Sequence, residues 1–232
     1  MANVEFDNEI KFDKRSVYRQ KIFMFLKRKI LEDSLKAGDK LVETRIAKDL
    51  GVSQAPVREA IRDLEAMGFV ETVPFKGSYV CEVTPQDMAD AYIVRSDLET
   101  LALKLAFPLV TTKDVEALSK LLSGMHDAAV AGDMDNYIEY NWLFHEKIMQ
   151  ICNNKTLMRA WKQCHVKELI YLGTKASEER SLVVLADRHQ RIIDALIAKD
   201  VDMAARESIE HITVFAKNYK EAKEKNMIRI VG

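Results

Sequence analysis

At 232 residues, with 48% apolar and 31% charged side chains, the chain has the make-up of an ordinary globular protein of one or two domains, not of a disordered one. The net charge of −1 conceals an asymmetry. Residues 14–80 carry 14 Lys/Arg against 9 Asp/Glu, whereas residues 81–232 carry 20 against 23, so only the N-terminal third has the positive excess that permits phosphate binding. The opening MANVEFDNEI has no secretory character, and no apolar run approaches the roughly 18 residues of a membrane helix. Cys81, Cys152 and Cys164 lack CxxC spacing and read as reduced, buried thiols. The expected location is cytoplasmic, away from any membrane.

In chain order, residues 1–13 read as a loose arm. From Ser16 to Leu35 the positions Ile22, Phe25, Leu26 and Ile30 recur at helical spacing. Lys36–Asp39 is a turn, and a second short helix follows over Glu43 to Leu50 with Ile46, Ala47 and Leu50 inward. Gly51 sits where a left-handed cap ends a helix. Ser53 is placed to cap a third helix, whose Val57, Ala60, Ile61 and Leu64 form one apolar stripe. Glu71–Val73 and Ser78–Val83 are β-prone runs around Phe75-Lys76-Gly77 and predict a hairpin. Three helices and a hairpin are the order of a winged helix-turn-helix.

Thr84-Pro85-Gln86-Asp87 then carries the signals of a helix start. The remainder predicts six helices, near 85–107, 112–131, 134–152, 154–176, 181–199 and 201–224. The fold class is therefore mainly α: a winged helix-turn-helix over 14–83 and an antiparallel all-α bundle over 84–226, with a tail at 227–232.

The third helix has the chemistry of a DNA-reading element. Ser53, Gln54, Ala55 and Arg58 lie at its N-terminal end, off the apolar stripe, where a recognition helix meets base edges. Arg58 suits a guanine edge or a phosphate, Gln54 an adenine, and Ser53 a phosphate at the positive helix end. Lys76-Gly77 at the hairpin tip pairs a cation with a residue that lets the backbone come close. Spacing alone equally allows Arg58 and Arg62 to be solvated surface charges. Gly38-Asp39-Lys40-Leu41, Glu43, Ile46-Ala47, Leu50 to Ile61, Leu64, Gly68-Phe69-Val70 and Lys76-Gly77 resemble the GntR-family DNA-binding domain. That resemblance implies transcriptional regulation by a homodimer on a palindromic operator. Two positions depart from the family pattern. Gln54 stands where Arg is frequent, and Thr44 follows Glu43 where some members are basic, with Arg45 one step on.

In the helical half, Asn141 and His145 share a helix face at i and i+4, and His189 and His211 lie on the fifth and sixth helices. Singly, each histidine suits a hydrogen-bonded or surface role, as read for His126 and His165. Together, three imidazoles in a bundle suit a divalent transition metal, with the Asn141 amide a poor fourth ligand. Arg95-Ser96-Asp97-Leu98-Glu99, Asn141 to His145, Arg188 to Ile192 and Glu210-His211-Ile212 resemble the FCD effector domain of the FadR subfamily, in its six-helix, VanR-like branch. The resemblance implies metal ligation by His145, His189 and His211, with Asn141 at a position occupied by Asp in metal-containing members. It also implies a small organic acid effector paired with Arg95. Zinc is the expected ion, with nickel, manganese or iron as alternatives, held more weakly for want of the Asp charge. Arg95 also has the spacing for a surface ion pair with Glu99. The three-His set equally fits a metal-dependent enzyme or a direct metal-ion sensor, though no nucleophile or general base stands in a recognised catalytic motif.

Overall fold

The computed structural model describes residues 15–176 and 181–224, which form two compact units divided between Thr84 and Pro85. The arm expected at 1–13 and the tail at 227–232 lie outside the described residues.

The first unit runs α1 (Arg15–Leu31), β1 (Lys40–Leu41), α2 (Glu43–Asp49), α3 (Gln54–Ala66), β2 (Val70–Val73) and β3 (Gly77–Val80). Ile22, Leu26 and Ile30 line one face of α1 and are buried against Ile46, Val57, Ala60, Ile61 and Leu64, as helical spacing dictates. Arg19 on α1 reaches Asp63 on α3 through two bonds of 2.5 and 2.7 Å. Gly51, at φ +64°, lets the chain leave α2 in the left-handed conformation. Ser53 is the N-cap of α3, but its side chain makes no capping bond, contrary to expectation. The sheet order is β1-β3-β2, all antiparallel, with Lys40 opposite Tyr79 and Val73 opposite Gly77. Two residues are too few to show alternation, so β1 carried no signal in the sequence. The second hairpin strand ends at Val80, short of the expected Val83; the last bond in its register is Cys81 N–H donating to the Phe69 carbonyl at 2.9 Å.

The second unit contains α4 (Pro85–Ala106), α5 (Thr112–Ala131), α6 (Met134–Ile151), α7 (Lys155–Gln163), α8 (Val166–Ala176), α9 (Leu182–Asp187), α10 (Gln190–Ala198) and α11 (Val201–Glu224). Eight helical segments stand among the described residues where six were expected. The expected fourth helix breaks at Cys164–His165, with His165 at φ +47°, and the fifth at Arg188–His189. Apolar periodicity runs through both breaks, so no Gly or Pro marks them. At the second, the His189 N–H bonds the Ala186 carbonyl at 3.0 Å, three residues back, a tighter winding than the α-helix.

A capping box between Thr111 and Asp114 starts α5, and Gly132 at φ +68° ends it. Trp161, Tyr137, Phe144, Leu118 and Met125 are fully buried at the centre of the bundle. Two faces of α4 are apolar. One buries Met88, Tyr92, Leu103 and Ala106. The other presents Val94, Leu101 and Leu105, exposed by 37–51%, with Ala91 and Leu98 half-buried between them. No helix among the described residues is long and apolar enough to cross a membrane.

Candidate functional site

In the first unit, Thr44, Arg45, Ser53, Gln54, Ala55 and Arg58 are all exposed, and so is Lys76. The buried stripe of α3 holds the helix on α1 and α2, which leaves its N-terminal end facing solvent. Arg58 is joined to Glu43, the first residue of α2. Its Nε donates to Glu43 Oε2 at 2.9 Å, and its Nη2 lies 2.9 Å from the same oxygen. One edge of the guanidinium is thus occupied, while the end-on pair of N–H groups remains for a partner. Arg45 sits 3.7 Å from Asp49 on the same helix.

In the second unit, Asn141, His145, His189 and His211 come together in the interior. Three different elements bring the rings close: α6 supplies Asn141 and His145, the α9–α10 break supplies His189, and α11 supplies His211. Ring centroids lie 5.3 Å apart for His145–His189 and His145–His211, and 4.2 Å for His189–His211. One nitrogen from each ring falls within 4.8 Å of the others.

The remaining bonds fix the tautomers. His145 Nδ1–H donates to Glu99 Oε2 at 2.6 Å, and His189 Nδ1–H donates to the Ala186 carbonyl at 3.0 Å. The lone pairs of both Nε2 atoms therefore face inward. Asn141 turns its NH2 towards the Tyr137 hydroxyl at 3.4 Å, which leaves its carbonyl oxygen buried and without a partner. Asn141 Oδ1, His145 Nε2, His189 Nε2 and His211 Nδ1 are buried without a hydrogen-bond partner. Four such buried atoms, three of them on rings whose nitrogens cluster, would be costly in an apolar interior. Three imidazole nitrogens and one amide oxygen are, chemically, a ligand set for a divalent transition metal. Burial, with the neighbouring imidazole His145, pushes His189 down to about 3. Burial also holds His211 and His145 below the ordinary range, against the upward pull of Glu99 on His145. All three rings are neutral near pH 7, the form that ligates a metal.

Arg95 does pair with Glu99, yet not on a surface: both side chains are at least 95% buried. Glu99 is the residue the sequence left underweighted. Its Oε1 accepts from Arg95 Nε at 2.7 Å and from Trp161 Nε1 at 2.8 Å, and its Oε2 accepts from His145. Burial alone would raise its pKa, but the charge and bonds of Arg95 and His145 outweigh this and keep Glu99 ionised well below the usual carboxylate range. The i+4 spacing from Arg95 was the sole trace of this in the sequence. Beside the cluster is a cavity of about 10 Å³ lined by Tyr92, Arg95, Asn141, Ile170, Thr174 and His211, room for roughly one water. His126 is half-buried, 3.9 Å from Asp187, and takes no part.

Residues 18–80 match the family described as bacterial regulatory proteins, gntR family, and residues 90–214 match the FCD domain. A protein of Paenarthrobacter nicotinovorans described as "Probable D-xylose utilization operon transcriptional repressor" is 30% identical over 87% of this chain and 88% of its own. The transcriptional regulator McbR of Escherichia coli is 29% identical over 75% of this chain and 80% of its own. The solved McbR structure superimposes with a TM-score of 0.68 over 88% of this chain and 98% of that one. These relatives are transcriptional regulators, not enzymes.

Glu99→Ala leaves the buried Arg95 charge and the His145 Nδ1–H without an acceptor. It is expected to destabilise the helical unit by about 3–5 kcal/mol, the range for breaking a buried ion pair. Denaturant unfolding followed by the fluorescence of Trp142 and Trp161 measures this. A loss below about 1 kcal/mol, the range of an exposed pair, would show that the carboxylate does not hold the site together.

Proposed function

The chain belongs to the gntR family of bacterial transcriptional regulators, with an FCD domain behind its DNA-binding domain, and we propose that a small organic acid, bound beside a divalent metal in the helical unit, sets its affinity for an operator. The observation that carries this reading is the set of four buried, unpartnered ligand atoms, three of them on clustered imidazoles, in the same interior as a buried arginine. His145, His189 and His211 would hold the ion, zinc by donor chemistry, with Asn141 as a neutral fourth ligand. The ion would supply a Lewis-acid site for a carboxylate. Arg95, tied to Glu99 through Nε alone, keeps its terminal N–H pair for the same anion. Cavity space for one water means that an organic acid enters only as the walls move. The α8 wall, Ile170 and Thr174, is the element such a ligand would displace. A ligand that favours one arrangement of the unit shifts the population towards it. The repressor role named for the Paenarthrobacter relative supports repression relieved by the effector.

At the operator, α3 takes the major groove with Ser53, Gln54, Ala55 and Arg58. Thr44, Arg45, Lys76 and Gly77 approach the phosphate backbone. Two copies span the half-sites of a palindrome. The exposed seam of α4 supports a second copy as its occupant. Residues 91, 94, 98, 101 and 105 alternate steps of three and four, as in paired helices. Asp97 and Lys104 flank the seam seven residues apart, so antiparallel pairing brings each near its opposite on the other copy.

Isothermal titration with zinc, then with a panel of small carboxylates, tests the effector site. Asn141→Asp is expected to tighten zinc binding by adding an anionic ligand, and His189→Ala to weaken it at least tenfold. Arg95→Ala should keep zinc yet lose the carboxylate response. A wild-type protein that takes up no divalent ion, with a full response retained in His189→Ala, removes metal from the mechanism. Arg58→Ala is expected to cost operator binding about 1–3 kcal/mol in a fluorescence titration, and an unchanged affinity would mean that α3 reads DNA through other residues. In sedimentation the chain should run at twice its mass, and Leu101→Glu as a monomer. A dimeric Leu101→Glu would place the interface elsewhere, and a monomeric wild type would end the dimer reading altogether.

A further inference from the structure

The break between α9 and α10 has an outer side as well as an inner one. His189 is buried in the interior, while its neighbours Asp187, Gln190 and Arg191 line a groove on the surface of the helical unit. They face α5, where Ser119, Ser123 and His126 stand at steps of four and three, with Leu122 buried among them. The groove is open to solvent and has a volume of about 560 Å³, against about 10 Å³ for the cavity beside the imidazoles. That is the size of a small-molecule site, and no wall has to move for it to be entered.

The protein answers the charges of this groove only loosely. His126 Nε2 lies 3.9 Å from Asp187 Oδ1, and Arg191 Nη1 lies 3.6 Å from Glu207 Oε2. Both gaps exceed a hydrogen bond, and the Asp187 and Arg191 side chains are 63% and 66% exposed. Gln190 gives its Nε2 to Asp194 at 2.8 Å, which leaves its amide oxygen to accept. Ser119 donates to the Val115 carbonyl at 2.9 Å and so offers lone pairs only. A simple anion would meet Arg191 but be repelled by Asp187, and a simple cation would meet the reverse. A neutral polyol would leave both charges unanswered. A molecule with both charges on one carbon answers both, its carboxylate on the Arg191 guanidinium and its ammonium between Asp187 and the Gln190 oxygen. Those are the groups of a free α-amino acid. Apart from His126 the lining holds no further charge, so a charged side chain on the ligand would gain nothing.

We propose that the groove between α5 and the α9–α10 break is a second ligand site, taking a free α-amino acid with an uncharged side chain. Arg191 holds the carboxylate, Asp187 and Gln190 hold the ammonium, and Leu122 with Ser119 and Ser123 receives the side chain. The occupant acts on the imidazole cluster, because residues 187–191 are one short stretch of backbone with His189 at its centre. That last step rests on the place of His189 in the inner site, whereas the groove itself does not.

The full chain, stripped of metal and isotope-labelled at its histidine rings, is titrated with L-alanine, L-serine, L-valine and L-leucine and followed by nuclear magnetic resonance. The ring signal of His126 reports binding, and that of His189 reports its transmission inward. At least one of the four is expected to shift both signals, at the millimolar concentrations that exposed charges call for. Arg191→Gln and Asp187→Asn alter exposed positions and should each weaken binding about fivefold, the upper range for an exposed charge pair. N-acetyl-L-alanine keeps only the negative charge and L-alaninamide only the positive. Both should bind more weakly than L-alanine, and Asp187→Asn should abolish the preference for L-alanine over its N-acetyl form. No shift with any of the four, or shifts that both variants leave unaltered, overturns the site. Equal binding of N-acetyl-L-alanine by the wild type overturns the ligand class. A response at His126 with none at His189 overturns the link to the cluster. No arm of the test needs a metal in the interior. If zinc is never taken up while His126 still responds, the metal reading fails and the groove stands.

Discussion

The buried carboxylate of Glu99 is the constraint on which the helical unit turns. An ionised group in a bundle interior is tolerable only if its charge is balanced and its lone pairs are filled. Glu99 meets that condition through three donors from three helices: Arg95 on its own helix, His145 on α6 and Trp161 on α7. Each donor is thereby fixed in turn. Arg95 is held with only its Nε committed, His145 is held in the tautomer that points Nε2 inward, and the largest side chain of the core is held in register. Displacing any one of them leaves the buried carboxylate short of a donor. The same carboxylate therefore links the group suited to an organic anion and the group suited to a metal, two places that would otherwise be separate polar defects in the core.

Much of this was legible in the sequence, and the reasons are specific. The apolar stripes of α1 and α3, the glycine after α2 and the start signal at Thr84–Asp87 are local, and the chain folds as they dictate. Asn141 and His145 at i and i+4 had to share a face of one helix. What the sequence withheld was set by tertiary structure. Nothing in the residues around 164–165 or 188–189 breaks a helical period, yet the chain breaks there, and the second break is what turns His189 towards the other rings. The Glu99–His145 bond joins residues 46 positions apart, beyond any pattern of spacing. Arg95 was read with two rival partners, a ligand carboxylate and a surface Glu99. It has Glu99 as partner in the interior and retains donors for another.

The two units handle their arginines by one chemical device. Arg58 and Arg95 each have a carboxylate against the Nε side of the guanidinium, Glu43 in one case and Glu99 in the other. Such a partner limits rotation of a long side chain and leaves the terminal N–H pair aimed. The difference is burial. Around Arg58 water screens the pair, so it serves mainly to orient. Around Arg95 the charges are almost sealed from solvent, and the pair is a condition of the fold.

The helix that carries Arg95 and Glu99 has no indifferent side. Its inner face holds the buried charges and the aromatic packing of Tyr92, and its outer face bears the apolar seam of Val94, Leu101 and Leu105. Most surface helices have a solvated stripe on which substitutions accumulate without effect, and that stripe is where related sequences diverge first. On α4 the stripe is narrowed to a few positions such as Asp90, Asp97 and Lys104. Divergence towards a new ligand on this scaffold has little freedom along α4. It would have to begin in the elements that approach the site from one side only, such as α8 or the short segments around His189, where a residue can change shape without being held from behind.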